Sequence, residues 1–136
     1  MKKKIAVILG DGIGPEVTQQ SIKVLNTIAK NYQHEFTYEH GLMGAIAIDE
    51  TGNPLPDETI KICLSSDAIL FGAIGDPKYD NDPNAKVRPE QGLLKLRKEL
   101  QLFANIRPVK TYDALQHLTP LKPKLLENVD FVIYRE

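Results

Sequence analysis

The run Ile5-Ala-Val-Ile-Leu9 is apolar at every position and leads directly into Gly10-Asp-Gly-Ile-Gly14. A stretch with no polar alternation fits a strand buried on both faces of a sheet. Pro15 and Glu16 then suit a first helical turn, where proline's missing N–H costs nothing and a carboxylate complements the helix dipole. Val17, Ser21, Val24, Leu25 and Ile28 recur at helical spacing, so residues 15 to about 30 read as an amphipathic helix with that stripe as its apolar face. A doubly buried strand needs a layer on each side. The chain is thereby committed to an α/β architecture with parallel pairing.

The rest of the chain continues the alternation. Phe36, Tyr38 and His40 alternate with Glu35, Thr37 and Glu39, the pattern of a half-buried strand. Gly41, Gly44 and the segment Thr51-Gly-Asn-Pro-Leu-Pro56 mark turns around a short helix. Pro56 precedes a helix expected to turn Ile60, Cys63 and Leu64 inward, and Ala68-Ile-Leu-Phe-Gly72 reads as a second buried strand. Residues 75 to 90 hold three prolines and no periodicity, and so long an irregular loop is usually functional or disordered. Gln91 to Leu100 reads as a helix with Leu93, Leu96 and Leu100 on one side. Leu102 to Val109 is strand-like, Thr111 to Pro123 a connector, and Val129 to Tyr134 a last strand.

Composition excludes several classes. Seventeen Lys and Arg against 18 Asp and Glu give a net charge of -1, without the basic excess of a nucleic-acid binder. Lys2-Lys3-Lys4 reads as a solubilising tail. No stretch has the length of a membrane span or the core of an export signal. Cys63 is the only cysteine, so it forms neither an internal disulfide nor a zinc site, and its apolar neighbours mark a buried structural thiol. A reducing cytoplasm fits. By length alone, 136 residues allow one domain.

Two features carry chemistry. Strand, Gly10-x-Gly12-x-Gly14, helix is similar to a phosphate-binding turn. However, the third glycine comes one residue early for a dinucleotide fingerprint, and Asp11 sets a negative charge where a pyrophosphate would lie. A tight structural turn, or a backbone turn lining a cofactor cleft by shape, are the other readings. Arg97, Arg107 and Arg135 lie near the ends of apolar elements. Each has a bland reading as a snorkelling or salt-bridged surface residue. Together they point to an anion site, because guanidinium groups match carboxylates bidentately and stay charged.

Ile5 to Val17, Gly72-Ala-Ile-Gly75, Arg88-Pro-Glu-Gln-Gly-Leu-Leu-Lys-Leu-Arg97, Leu102-Phe-Ala-Asn-Ile-Arg-Pro108 and Val132-Ile-Tyr-Arg-Glu136 together resemble the metal-dependent β-decarboxylating dehydrogenases. That family acts on isopropylmalate, isocitrate, homoisocitrate and tartrate. Glu90 to Arg97 is most similar to its isopropylmalate-oxidising branch, since Leu93 and Leu94 suit an alkyl group where isocitrate presents a carboxylate. The resemblance implies an α/β fold of isopropylmalate dehydrogenase type, an open sheet with βαβ units that is incomplete in this chain. Residues 1–101 would be the first half of a discontinuous first domain and 102–136 the start of an inserted second one.

The resemblance also implies roles. Arg97, Arg107 and Arg135 would hold substrate carboxylates, and Glu90, Leu93 and Leu94 would face the substrate's side group and the nicotinamide. Ile13, Asp76, Pro77, Lys78, Tyr79 and again Glu90 would line NAD. Asp76 stands where a second glycine is frequent and Tyr79 where a tryptophan is frequent, which leaves the loop's conformation open. The implied reaction is NAD+-dependent oxidative decarboxylation of a small 2-hydroxy acid in leucine biosynthesis, with Mg2+ or Mn2+, by a cytoplasmic homodimer. No catalytic acid–base or metal-ligating residue of the family falls at a matching motif. Tyr134, Asp80, Asp82, His34, His40 and His117 therefore receive no role. The chain reads as an N-terminal portion, inactive alone. A non-catalytic paralogue binding a carboxylate or nucleotide, and the same chemistry on isocitrate or tartrate, are the alternatives.

Overall fold

The computed structural model describes residues 1–135. The chain forms two compact units, Met1–Gln101 and Leu102–Glu136. The first contains β1 (Lys2–Gly10), α1 (Gly14–Asn31), β2 (Glu35–Gly41), α2 (Ala45–Thr51), α3 (Asp57–Leu64), β3 (Ala68–Ala73), α4 (Pro77–Asp80) and α5 (Pro89–Glu99). Its sheet is parallel, in the order β2-β1-β3.

The apolar run explains that order. β1 is central, and Ile5, Ala6, Val7 and Ile8 are all buried. Ala6 and Ile8 join Met43, Leu55, Ile62, Cys63 and Leu96 in one core, with Ile69 and Phe71 of β3 packed against it. Helix α1 lies against the sheet. Each fully buried Val, Leu or Ile in such a core contributes about 1.5–3 kcal/mol.

The rotation of α1 differs from the expected one. Val17, Val24 and Ile28 are exposed, whereas Thr18 and Ala29 are buried and Ile22 and Leu25 half-buried. Close approach decides this. A Cβ on Gly14 would run into the Leu9 carbonyl, and one on Gly72 would meet both that carbonyl and the Thr18 hydroxyl. The small face of the helix therefore meets the strands. In α3 the inward face is Thr59, Ile62 and Cys63, and Leu64 is exposed, contrary to expectation. The Thr59 hydroxyl donates to the Leu42 carbonyl at 2.7 Å, which sets that helix's rotation. The basic N-terminus is paired: Lys2 with Glu35 at 2.6 Å, Lys3 with Asp67 at 2.6 Å and Lys4 with Glu39 at 2.5 Å. These exposed pairs link β1 to its neighbours and contribute little stability.

The turn after β1 is organised by Asp11, which is 5% exposed. Its N–H donates to the Ala73 carbonyl at 2.7 Å. Its carboxylate accepts from the backbone N–H groups of Ala45 at 2.9 Å, Ile46 at 3.1 Å and Gly75 at 3.0 Å. Asp11 thus caps α2 from another segment, supplying the anion that a helix N-terminus favours. Gly44 precedes α2 at φ +93, and a Cβ there would overlap the carboxylate.

In the second unit, β4 (Asn105–Lys110) and β5 (Asp130–Arg135) pair antiparallel, with Asn105 opposite Arg135 and Arg107 opposite Ile133. β4 starts three residues later than expected, and the connector contains two short 3-10 helices, Asp113–Leu118 and Pro123–Leu125. The Thr111 hydroxyl donates to the Leu126 carbonyl at 2.7 Å, and Leu126 is buried. No helix among the described residues is long and apolar enough to cross a membrane.

Asp11→Ala leaves three inward backbone donors without a partner. It is expected to lower the free energy of urea unfolding by about 3 kcal/mol or more, with Asp11→Asn less damaging. A change below about 0.5 kcal/mol would show that water replaces the carboxylate freely.

Candidate functional site

Helix α5 begins at Pro89, two residues earlier than expected, behind Arg88 as N-cap; the Gln91 side chain accepts from the Arg88 N–H at 3.2 Å. Two stripes run along it. Leu96 is buried and Leu93 and Leu100 pack against the core, so these three face inward. Glu90, Leu94 and Arg97, spaced i, i+4, i+7, share an exposed face. The structure thus brings three of the sequence-derived residues together and sets Leu93, partly buried, on the inward stripe.

Glu90 also abuts the start of the 76–90 loop. Its Oε1 lies 3.2 Å from the position a Gly75 Cβ would take. Gly75 carries the positive φ, +130, while Asp76 is extended at φ -143. The aspartate at position 76 therefore asks nothing of the backbone that only glycine allows. Its Oδ1 accepts from the Lys78 N–H at 2.8 Å and caps α4, a turn of helix inside the segment expected to be irregular.

Lys78 and Tyr79 both reach Asp49 on α2. Asp49 Oδ1 accepts from Lys78 Nζ at 2.5 Å and from the Tyr79 hydroxyl at 2.6 Å. The Lys78 ammonium lies 5.2 Å from the Tyr79 ring centroid, within cation–π reach. Hydrogen bonds from Lys78 and then Tyr79 hold the Asp49 carboxyl below its ordinary range. The bond to Asp49 raises both the Lys78 ammonium and the Tyr79 phenol. Asp49 escaped the sequence reading because its partners are 29 and 30 residues away and nothing local marks it.

The glycine turn holds a buried carboxylate, Asp11, bonded to other segments. The Asp11 carboxylate occupies its inner side, and the Gly14 N–H donates to the Asp11 carbonyl at 2.8 Å. Only the tip is open: Ile13 is exposed, and a Cβ on Gly12 would meet nothing within 4 Å. Cys63 is buried, and burial pushes its thiol up, away from the reactive thiolate.

On the hairpin, the pairing register and strand alternation put Asn105, Arg107, Ile133 and Arg135 on one face. Arg107 Nε donates to Asn105 Oδ1 at 3.0 Å. Arg107 and Arg135 are thereby diagonal neighbours, both exposed. Among the described residues, the ion pairs are all made by lysines, and Arg97, Arg107 and Arg135 pair with no carboxylate. Nor does any group of three or more His, Cys, Asp or Glu side chains among them stand ready to hold a metal ion.

A parallel sheet in the order β2-β1-β3 with βαβ connections defines an α/β protein of the open-sheet class. The chain belongs to the isocitrate/isopropylmalate dehydrogenase family, whose sequence pattern matches residues 4–136. It is 54% identical over 136 residues to a 3-isopropylmalate dehydrogenase of Bacteroides fragilis, covering all of this chain and 38% of that protein. It is 58% identical to that of Heyndrickxia coagulans, again over its full length and 37% of the relative. The crystal structure of a β-decarboxylating dehydrogenase from Thermococcus kodakarensis superposes with a TM-score of 0.68 at 32% identity, over 97% of this chain and 33% of that one. The chain thus spans about a third of the length of these relatives.

The Asp49 contacts have a pH window. Asp49's contribution is complete above the ordinary aspartate pKa and is lost as pH falls through its lowered value. Those of Lys78 and Tyr79 are complete below their ordinary values and are lost as pH rises through their raised ones. Tyr79 is expected to ionise later than an ordinary tyrosine, and Asp49→Asn to bring it back down. Phenolate absorbance, assigned by difference from Tyr79→Phe, checks this. An unmoved titration in Asp49→Asn would exclude the bond in solution.

Proposed function

We propose that this chain supplies the substrate-recognition portion of an NAD+-dependent 3-isopropylmalate dehydrogenase. The reaction is oxidative decarboxylation of (2R,3S)-3-isopropylmalate to 4-methyl-2-oxopentanoate, a step of leucine biosynthesis. The reading rests above all on identity of 54% and 58%, over the whole chain, to relatives that bear that name. The exposed stripe Glu90, Leu94, Arg97 supports it chemically. Arg97 would meet one carboxylate, and Leu94 offers an apolar contact suited to an isopropyl group. Arg107 and Arg135, on one face of the hairpin, suit a carboxylate between them. Such bidentate contacts supply orientation, which counts directly toward rate.

Oxidation removes a hydride from C2 and the hydroxyl proton, and the resulting ketone, β to a carboxylate, then loses carbon dioxide. NAD+ would supply the hydride acceptor and Mg2+ or Mn2+ the Lewis acid. Ile13, Asp76, Pro77, Lys78, Tyr79 and Glu90 would line the dinucleotide. The open tip at Gly12 and Ile13 and the capped 76–80 turn leave an accessible surface for it. Among the described residues no group of three or more His, Cys, Asp or Glu side chains stands ready to hold that ion. In this reading the units 1–101 and 102–136 belong to a discontinuous first domain and an inserted second domain of a cytoplasmic homodimer.

Steady-state kinetics of the protein produced from its native gene tests the reading. Isopropylmalate is expected to exceed isocitrate and tartrate in kcat/KM by about tenfold or more, since a third carboxylate against Leu94 would lack a partner. Equal values would remove the alkyl-contact argument, and no turnover of any of them would favour a binding module. In the same protein, Arg107→Ala is expected to raise the hydroxy-acid KM by about ten- to a hundredfold and leave the NAD+ KM nearly unchanged. Equal losses for both would count against a carboxylate role.

A further inference from the structure

Helix α4 has only four residues, Pro77–Asp80, and none of them is buried. A single turn of that length is unstable by itself, because nucleation costs more than one turn of hydrogen bonds returns. Among the described residues, the hydrogen bonds that leave this turn all end on Asp49, from Lys78 Nζ and from the Tyr79 hydroxyl. Asp49 is itself held. It lies on α2, whose N-terminus is fixed by the Asp11 carboxylate, whose Ala45 and Ala47 are buried, and whose preceding Gly44 N–H donates to the Pro54 carbonyl at 3.0 Å.

We infer that Asp49 is a positioning residue for the dinucleotide: its carboxylate clasps Lys78 and Tyr79 and presets the Asp76–Asp80 turn in its binding conformation. The inference rests on the proposed cofactor role of that turn and goes beyond it, since Asp49 itself need not touch the ligand. Its physical basis is preorganisation. A turn already ordered before binding spares the dinucleotide the cost of ordering it, so affinity rises without new contacts. Lys78 and Tyr79, engaged with Asp49, contribute through where they hold the turn.

The test is Asp49→Ala in the protein produced from its native gene, beside Asp49→Asn and Glu50→Gln, which removes a neighbouring exposed charge outside the clasp. Asp49→Ala is expected to raise the NAD+ KM about fivefold, with kcat and the hydroxy-acid KM changing less than about twofold. Amide exchange at Tyr79, Asp80 and Asn81, whose N–H groups close the turn on Asp76 and Pro77, should accelerate. Asp49→Asn should fall between, and Glu50→Gln should match the parent. An unchanged NAD+ KM, or an equal rise in both Michaelis constants, overturns the positioning role while the cofactor reading stands. A parent protein whose rate does not depend on NAD+ overturns both.

Discussion

Asp11 leaves β1 where the chain turns toward α1, and its carboxylate gathers N–H groups 34, 35 and 64 residues further along. A carboxylate that is only 5% exposed survives because three donors replace its water. The donors gain as well. Two of them belong to the first turn of α2, which otherwise has no side-chain cap. The third starts the 76–90 segment. One residue therefore sets where α2 begins and where the loop after β3 departs, and the register of β1 against β3 carries both.

The same bond network ties β1 to β3 at the crevice between them. In open α/β sheets that crevice, at the strand C-termini, is the usual place for a ligand. Here the Asp11 N–H is bonded to the Ala73 carbonyl and the carboxylate to Gly75, so the crevice is closed. The tip at Ile13, the α4 turn and the Glu90, Leu94, Arg97 stripe of α5 are exposed. α2 links the Asp11 turn to the α4 turn, receiving Asp11 at its start and presenting Asp49 one turn on.

Periodicity made the layers legible. The unbroken run at β1 and the Leu93, Leu96, Leu100 spacing correspond to the observed burial; in β2, Phe36 and Tyr38 are half-buried as expected but His40 is exposed, so the alternation ends at Tyr38. Helix rotation was less legible, because apolar spacing does not report which face can come close. α1 turns its small residues to the sheet and leaves Val17, Val24 and Ile28 outside, and α3 buries Ile62 where Leu64 was expected. The partners of Asp11 are illegible for a related reason: the donors that use its carboxylate come from distant segments. The Asp49 clasp was invisible on the same ground.

The two neighbouring leucines of α5 show how far geometry sharpens such a reading. Their chemistry is identical, so sequence could assign both to an alkyl pocket or both to the core. Helical spacing separates them: Leu93 shares its stripe with Leu96 and Leu100, and Leu94 shares its own with Glu90 and Arg97. A leucine packed in the core needs no ligand to account for it. Leu94, 64% exposed between an acid and an arginine on one helix face, is not accounted for by the core in this way. In the proposed enzyme, Leu94 would be the leucine free to contact an isopropyl group. Arg97, one turn along the same face, would keep the adjacent carboxylate in reach while Leu94 would offer a second one no partner.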